Sequence, residues 1–353
     1  MSLKIAVDGM GGDRAPGIVV EGVNLALKHA GVQFVIFGDS DMLQSFFPSP
    51  HPSVTIIHAP QKIDAGNTGV LTVLRRHKSS LALAMKALAS GEVDAVVSAG
   101  DSRAVVAMAK HYVGLIGKVK RPVLGVFVPV TPDHDVLLVD AGAYTGLHAV
   151  PLVQAALVGE IYWSMEKGST NPRIALLNIG HEKFKGPVEV RRAAKILQGL
   201  PVNFAGFVEP QDLFVSPSSV DVLVTNGFTG NLFLKLYESL SEYLLSKFEF
   251  FFHRACQVDP QNFHVWQEQF SRYRYERTGG APLLGVKKPV VVAHGRSESI
   301  AVCKAIEKAI ALVRNNFAER MEAGIESNAA LKNVSILYKS WAVSTFGGSK
   351  KES

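Results

Sequence analysis

Short apolar runs recur along this chain with helical or polar stretches between them: Ile5 to Val7, Phe34 to Phe37, Val54 to His58, Ala95 to Ser98, Val123 to Val128, Val136 to Val139, Ile174 to Leu177, Asn203 to Phe207, Val222 to Val224 and Val290 to Ala293. Runs this short and branched are typical of strands buried on both faces. Helical periodicity fills several of the intervals, among them about Ile18 to His29 and about Ser299 to Arg320. The alternation predicts an α/β fold in which helices cover both faces of a largely parallel sheet, and in such sheets ligands gather where strands end. No fixed-period repeat, low-complexity block or Pro/Gly linker separates domains. Residues 1–345 therefore read as a single α/β domain, with 165–172 the best place for a division into two lobes and 346–353 a polar tail.

One helical stretch breaks the amphipathic rule. From Tyr237 to Arg254 the pattern becomes heavily apolar, with Leu240, Leu244, Leu245, Phe248, Phe250, Phe251 and Phe252. Consecutive phenylalanines cannot share one narrow stripe, so part of this helix is expected to meet a second surface: another subunit, an acyl chain or a membrane interface. Core packing is the plainer alternative.

Composition narrows the class. The chain has 353 residues, 47% hydrophobic and 19% charged, which suits a folded chain with well-covered strands rather than a disordered one. No apolar run approaches the ~18 residues of a membrane-spanning helix. The sequence passes from Ser2 and Lys4 straight into a strand-like run without a signal peptide's apolar core. Cys256 and Cys303 are the only cysteines, and neither forms part of a CxxC or Cys/His group, so neither a disulfide framework nor a structural metal is suggested. These features predict a cytoplasmic protein. A formal charge of +6 favours acidic partners in general. The basic residues fall in short groups, Arg75-Arg76, Lys118 to Arg121 and Arg272 to Arg277, with no nucleic-acid module around them.

Candidate chemistry lies in loops that follow the strands. The run Asp221 to Leu240 joins a short strand to a helix through Asn226-Gly227-Phe228-Thr229-Gly230-Asn231. Such a junction aims backbone N–H groups and the positive helix end at one point, which suits an anion. Thr229 and Asn231 can add donors and Lys235 a charge; equally, Gly227 and Gly230 can simply permit a tight turn. The first strand ends in Asp8-Gly9-Met10-Gly11-Gly12-Asp13, where the two carboxylates hold a hydroxyl or orient a donor, or cap the turn. At Ser98-Ala99-Gly100-Asp101-Ser102-Arg103, Asp101 or Ser102 is as readily a helix N-cap as a ligand. Asn178-Ile179-Gly180 precedes Lys183, Lys185 and Gly186, and Lys185 is either an anion contact or a solvated surface lysine. His294-Gly295-Arg296-Ser297 supplies a histidine able to donate to an anion or act as acid or base.

Taken together and in this order, six motifs resemble the PlsX family of phosphate acyltransferases: IAVDGMGGDRAP at Ile5 to Pro16, LRRHKSS at Leu74 to Ser80, DAVVSAG at Asp94 to Gly100, NPRIALLNIG at Asn171 to Gly180, DVLVTNGFTGN at Asp221 to Asn231 and GGAPLLG at Gly279 to Gly285. The resemblance implies transfer of a fatty acyl group from acyl carrier protein to inorganic phosphate for phospholipid synthesis, without metal or nucleotide. It also implies a three-layer α/β/α unit like those of isocitrate dehydrogenases and phosphate acetyltransferases, dimeric and loosely attached to the cytoplasmic membrane face, with Phe248 to Phe252 the candidate contact. In that setting His294, Lys185 and Lys235 are the candidate catalytic groups. The candidate phosphate and substrate contacts are Asp8, Gly11, Gly12, Asp13, Gly100, Asp101, Asn178, Gly180, Asn226, Gly227, Thr229, Gly230, Asn231 and Ser297. The chain departs from the family pattern at Arg14, at Asp101 and Arg103, at Asp140 to Thr145, and at Arg296. A diverged member that binds acyl carrier protein or membrane without catalysis is thus the alternative, while a nicotinamide-dependent dehydrogenase lacks its dinucleotide fingerprint.

Overall fold

The computed structural model describes residues 2–47, 51–63, 69–215, 220–255, 270–274, 279–293, 298–334 and 336–337. Its centre is an 11-stranded sheet. The strands are β1 (Leu3–Asp8), β2 (Val32–Gly38), β3 (Val54–His58), β4 (Ala95–Ser98), β5 (Val123–Thr131), β6 (His134–Val139), β7 (Ile174–Leu177), β8 (Phe204–Val208), β9 (Val222–Val224), β10 (Ala281–Leu284) and β11 (Val290–Val292). They lie in the order β3-β2-β1-β4-β11-β10-β5-β6-β9-β7-β8.

Pairing is parallel from β3 to β11 and again from β6 to β8, with antiparallel junctions at β11–β10, β10–β5 and β5–β6. The reversals have a consequence for function. Strands β1, β4 and β11 run opposite to β6, β9 and β7, so the carboxyl ends of the two halves lie at opposite edges of the sheet.

The short apolar runs alternate between two cores. Ile5, Val7, Val97, Leu137, Val139, Val222 and Val224 face one side, with the helices Gly17–Ala26, Ala149–Lys167, Val188–Leu197 and Ser299–Arg314. Ala6, Val96, Leu138, Leu223, Val290 and Val292 face the other, with Ser80–Ser90, Ser102–Met108 and the long helix Gly227–Ala255. Both faces of central strands such as β1, β4, β9 and β11 are therefore dry, which is why these runs read as continuous rather than alternating.

The structure refines the sequence expectations at three places. GGAPLLG, read as a loop motif, contains a strand, β10, which supplies two of the antiparallel junctions. The stretch Ser299 to Arg320, expected as one helix, is two, Ser299–Arg314 and Phe317–Ser327, divided at Asn316, whose φ of 51° is incompatible with continuing the first. Within 165–172, Lys167 ends a helix capped by the left-handed Gly168, after which the chain enters β7 of the same sheet.

One ionic cluster joins the helices at 17–26 and 299–314. Glu307 accepts from Lys304 at 2.6 Å and lies 3.2 Å from both Lys28 Nζ and His29 Nε2. Burial pushes its carboxyl up, but the hydrogen bonds from Lys304, Lys28 and His29 and the Lys304 charge outweigh it and hold it at about 2. A depressed carboxylate contributes stability above its unfolded pKa and loses it as pH falls towards the folded value. Acidification from about pH 4.5 to 2 should therefore remove this contribution in the natural chain. Glu307→Gln should show a smaller fall in unfolding midpoint between pH 5 and pH 3, measured by chemical denaturation, and an equal fall would exclude the cluster as a stabilising element.

Candidate functional site

Buried aspartates organise a loop at each edge. At the carboxyl end of β1, Asp8 is 3% exposed and accepts from Ser80 Oγ at 2.6 Å and Ser98 Oγ at 2.7 Å. Ser98 in turn accepts from the Gly100 N–H at 3.1 Å. Burial raises the Asp8 pKa against the pull of these donors and the Met10 N–H. Gly11 packs so closely here that a Cβ would lie 2.9 Å from the Gly100 nitrogen, and Gly12 turns at φ 106°. Asp8, Gly11, Gly12 and Gly100 thus form one cluster, whereas Asp13 is exposed beside it.

Asp101 is the N-cap of the helix Ser102–Met108. It accepts from the Arg103 and Ala104 N–H groups at 2.9 and 3.3 Å, and its other oxygen takes the Arg103 guanidinium at 3.2 Å. The carboxylate and arginine that depart from the family pattern therefore neutralise one another.

The second cluster sits at the carboxyl ends of β6, β9 and β7. Asp140, 3% exposed, accepts four backbone N–H bonds: Leu124 at 3.0 Å, Gly142 at 3.0 Å, Ala143 at 2.8 Å and Tyr144 at 2.7 Å. Burial dominates and lifts its pKa to about 6 although all four donors oppose the rise. The loop so folded presses on the start of the long helix. Tyr144 O accepts from the Gly227 N–H at 2.7 Å, and a Cβ on Gly230 would overlap the Asp140 carbonyl. The expectation that the Gly227 and Gly230 N–H groups point at an anion gives way here: the first is bound to Tyr144 and the second to Asn226 O. Their glycines are needed for close approach. Asn226 donates to Thr145 O at 2.7 Å and accepts from the Thr229 N–H at 3.4 Å, so it acts as a cap and staple.

The neighbouring strand β7 brings the Asn178 loop to the same edge. Asn178 donates to Gly180 O and Lys185 O at 3.1 and 3.2 Å, shaping the loop rather than reaching outward. Lys185, partly exposed, pairs with Glu182 at 2.9 Å. Thr229, Asn231 and Lys235 occupy the first turns of the long helix, and Asn231 lies beside Gly142. Lys185, Thr229, Asn231 and Lys235 therefore share the β6/β9/β7 edge, while Asp8, Gly11, Gly12, Gly100 and Asp101 belong to the opposite one. His294 and Ser297 lie outside the described residues.

Between the two edges runs a cavity of about 650 Å³. Val70 and Leu74 form one wall, and Arg103, Val106, Ala107, Lys110 and His111 a second. The third comes from Arg121, Pro122 and the loop residues Ala143 to Thr145. The helix starting at Asp101 runs back along the sheet and widens at Ala109–Val113 into a π-helical turn that carries Lys110 and His111. The Arg121 guanidinium stacks on Tyr144 with 3.6 Å to the ring centroid. No carboxylate lines the cavity among the described residues. Sequence reading marked Asp140 to Thr145 only as a departure from the family pattern and passed over Lys110 and His111, because their roles come from a turn and a helix register, and Arg121 because its group looked like scattered surface charge.

The chain matches the model of a family described as "Fatty acid synthesis protein" over residues 3–320. It is similar to a phosphate acyltransferase of Syntrophobacter fumaroxidans, 42% identical over 93% of each chain. It is also similar to a phosphate acyltransferase of a Geobacillus species, 34% identical over 92% of this chain and 99% of the relative. Among solved structures it resembles a phosphotransacetylase from Streptococcus pyogenes, with TM-score 0.58 and 15% identity over 92% of this chain and 95% of the other. A 4-hydroxythreonine-4-phosphate dehydrogenase from Klebsiella pneumoniae superposes with TM-score 0.53 and 14% identity over 89% of this chain and 100% of the other. The structural likenesses establish the fold.

The Asp140 network generates a direct expectation. Asp140→Ala leaves one buried and three part-buried donors without their acceptor, and at about 1–3 kcal/mol per unsatisfied group, with partial relief from solvent, should destabilise the chain by about 3 kcal/mol. Chemical denaturation would measure the loss, and amide exchange at Ala143 and Tyr144 should accelerate. Unchanged exchange would show that the loop is held by other contacts.

Proposed function

The chain belongs to the PlsX family of phosphate acyltransferases, enzymes of fatty acid and phospholipid synthesis, and on that premise we propose that it moves a fatty acyl group from acyl carrier protein to inorganic phosphate. The observation that carries this reading is the convergence, at one sheet edge, of a helix start bearing Thr229 and Asn231 with the two lysines Lys185 and Lys235, and a cavity both basic and apolar that reaches the same edge at Ala143 to Thr145. The polar side chains of Thr229 and Asn231 and two ammonium groups suit a phosphate dianion. Apolar walls beside them suit an acyl thioester.

In this mechanism Lys185, Lys235, Thr229 and Asn231 hold phosphate against the thioester carbonyl. A phosphate oxygen bonds to the carbonyl carbon, the carbon–sulfur bond breaks, and the departing thiolate takes up the proton that phosphate gives up. The protein's contribution is orientation and stabilisation of the developing oxyanion. His294 assists at the carbonyl oxygen or the leaving sulfur. The Asp8 cluster shapes the far end of the cleft from the opposite edge. The Asp101–Arg103 pair supports an active enzyme over a degenerate one, because it adds no net charge at the helix start.

The assembly proposed with this activity is a homodimer that touches the cytoplasmic membrane face. Its support is the exposed stripe Leu232, Leu236, Leu240, Leu244, Phe248 and Phe251 on the long helix, repeated at helical spacing. No helix among the described residues is long and apolar enough to cross a membrane.

Purified protein incubated with long-chain acyl carrier protein and phosphate should release acyl phosphate. Absence of product with retained carrier binding would sink the enzyme reading in favour of a binding role. Lys185→Ala should raise the KM for phosphate about tenfold or more, the scale of one charge-assisted contact of about 1.5–3 kcal/mol. Phe248→Glu with Phe251→Glu should reduce co-sedimentation with anionic vesicles, and undiminished binding would move the membrane contact elsewhere.

A further inference from the structure

The cavity opens within a surface whose charge is far more one-sided than the chain as a whole. Residues 69–91 and 102–122 contain nine lysines and arginines and no aspartate or glutamate, in a chain with 31 acidic residues. The fold packs these two segments together. The helix Val70–Arg75 lies against Ser102–Met108, and Ser80–Ser90 lies against the π-helical turn. Lys86 fastens them, donating to His77 O at 2.8 Å with its ammonium 5.3 Å from the Tyr112 ring centroid. Arg75, Arg76, Lys78, Lys110 and His111 are left exposed on the joined surface, whereas Lys118 is turned away onto Glu326 O.

We propose that this basic surface docks the acidic carrier protein, and that the cavity behind it receives the carrier's acylated phosphopantetheine arm. This rests on the acyl-transfer reading of the preceding section and specifies where that substrate enters. Two independent features converge on one occupant. The exposed cations complement an acidic protein surface and steer its approach. The cavity itself matches a ligand with one anionic end and an uncharged body. Lys110 grips a phosphodiester at its mouth, beside the Arg103 that Asp101 holds, Arg121 is fixed over Tyr144 further in, and Val70, Leu74, Val106, Ala107 and Pro122 enclose the arm. The arm then points from the carrier towards Ala143 to Thr145, the loop that Asp140 presses against the long-helix start. That path carries the thioester to the phosphate-holding edge.

The test compares two thioesters on the full-length protein: the acylated carrier and the same acyl group on free pantetheine, which has neither phosphodiester nor protein. Arg75→Glu with Arg76→Glu, and separately Lys110→Glu, should lower the ratio of kcat/KM for carrier to that for pantetheine by about tenfold or more, with the KM for phosphate unchanged. Carrier affinity of the natural protein, followed by titration with the acylated carrier, should weaken as salt rises. Ala107→Trp, which fills the cavity, should depress activity with both thioesters. A carrier-to-pantetheine ratio within twofold of the natural protein in both charge variants would overturn the proposal, as would charge variants that lose vesicle binding while carrier kinetics stay intact. Salt-sensitive carrier binding lost in the variants, together with no acyl phosphate from the natural protein, would instead uphold the docking surface and defeat the acyl-transfer reading. Thermal unfolding checks each variant. Where a reversal lowers the midpoint, Lys110→Gln and Arg76→Gln carry the same comparison with a smaller change in the same direction.

Discussion

Four backbone N–H groups converging on one buried carboxylate set the geometry on which this molecule's candidate chemistry depends. Asp140 is too buried to be solvated, so the loop wraps around it and offers the donors of Leu124, Gly142, Ala143 and Tyr144 in place of water. That wrapping fixes Tyr144, which receives the Gly227 N–H and carries Arg121 on its ring. One carboxylate thereby places the start of a 29-residue helix and one wall of the cavity. Asp8 does the equivalent work at the other edge, joining β1, β4 and the helix at 80–90 through two serine hydroxyls. Each half of the sheet thus ends its leading strand in a buried aspartate that converts a flexible glycine loop into a fixed one.

The parts of this design that were legible in the sequence are those governed by local pattern. Strands such as β1, β4, β7 and β9 were visible because both their faces are buried and the runs are uniformly apolar. The long helix was visible in its excess of apolar residues, which emerge as the exposed stripe. The largely parallel sheet was expected and is present; what escaped was the strand order and the antiparallel junctions within it. Ala281–Leu284 was hidden because Gly279 and Gly280 precede it and Pro282 lies within it, although as β10 it pairs antiparallel on both sides. The reversal at β10 and β5 was equally hidden, since polarity belongs to the sheet rather than to any one strand. For that reason the Gly100 and Asn226 loops, both counted among the candidate phosphate and substrate contacts, stand at opposite edges.

Site residues divide along the same line. Gly227 and Gly230 were rightly singled out as special, but a glycine whose N–H serves an anion and one whose missing Cβ admits a neighbouring carbonyl leave the same mark in a sequence. Only the positions of Tyr144 and Asp140 distinguish them. Lys185 and Lys235 were singled out as charges near glycines, and strand adjacency gives them a common edge. Asp101 illustrates the opposite error. It was counted among the candidate phosphate contacts and among the departures from the family pattern, yet the side chain is turned along its own helix, capping two N–H groups and holding Arg103.

The sheet reversal also explains why a helix rather than a loop links the two edges. Because β4 and β6 end at opposite edges, chemistry at one end cannot reach the other through strand-end loops alone. The helix after β4 runs antiparallel to its strand, as a connection in such a fold must. From Arg103 to His111 it advances about 12 Å at 1.5 Å per residue, enough to carry cations from the Asp8 edge to the Tyr144 loop. Its π-helical final turn adds a residue to the last repeat and rotates the positions that follow, and Lys110 and His111 occupy that turn. An amphiphilic cleft crossing the sheet, with cations spaced along a helix and an apolar floor between them, is the geometry that a long thioester and a small dianion both require if they are to meet at one carbon.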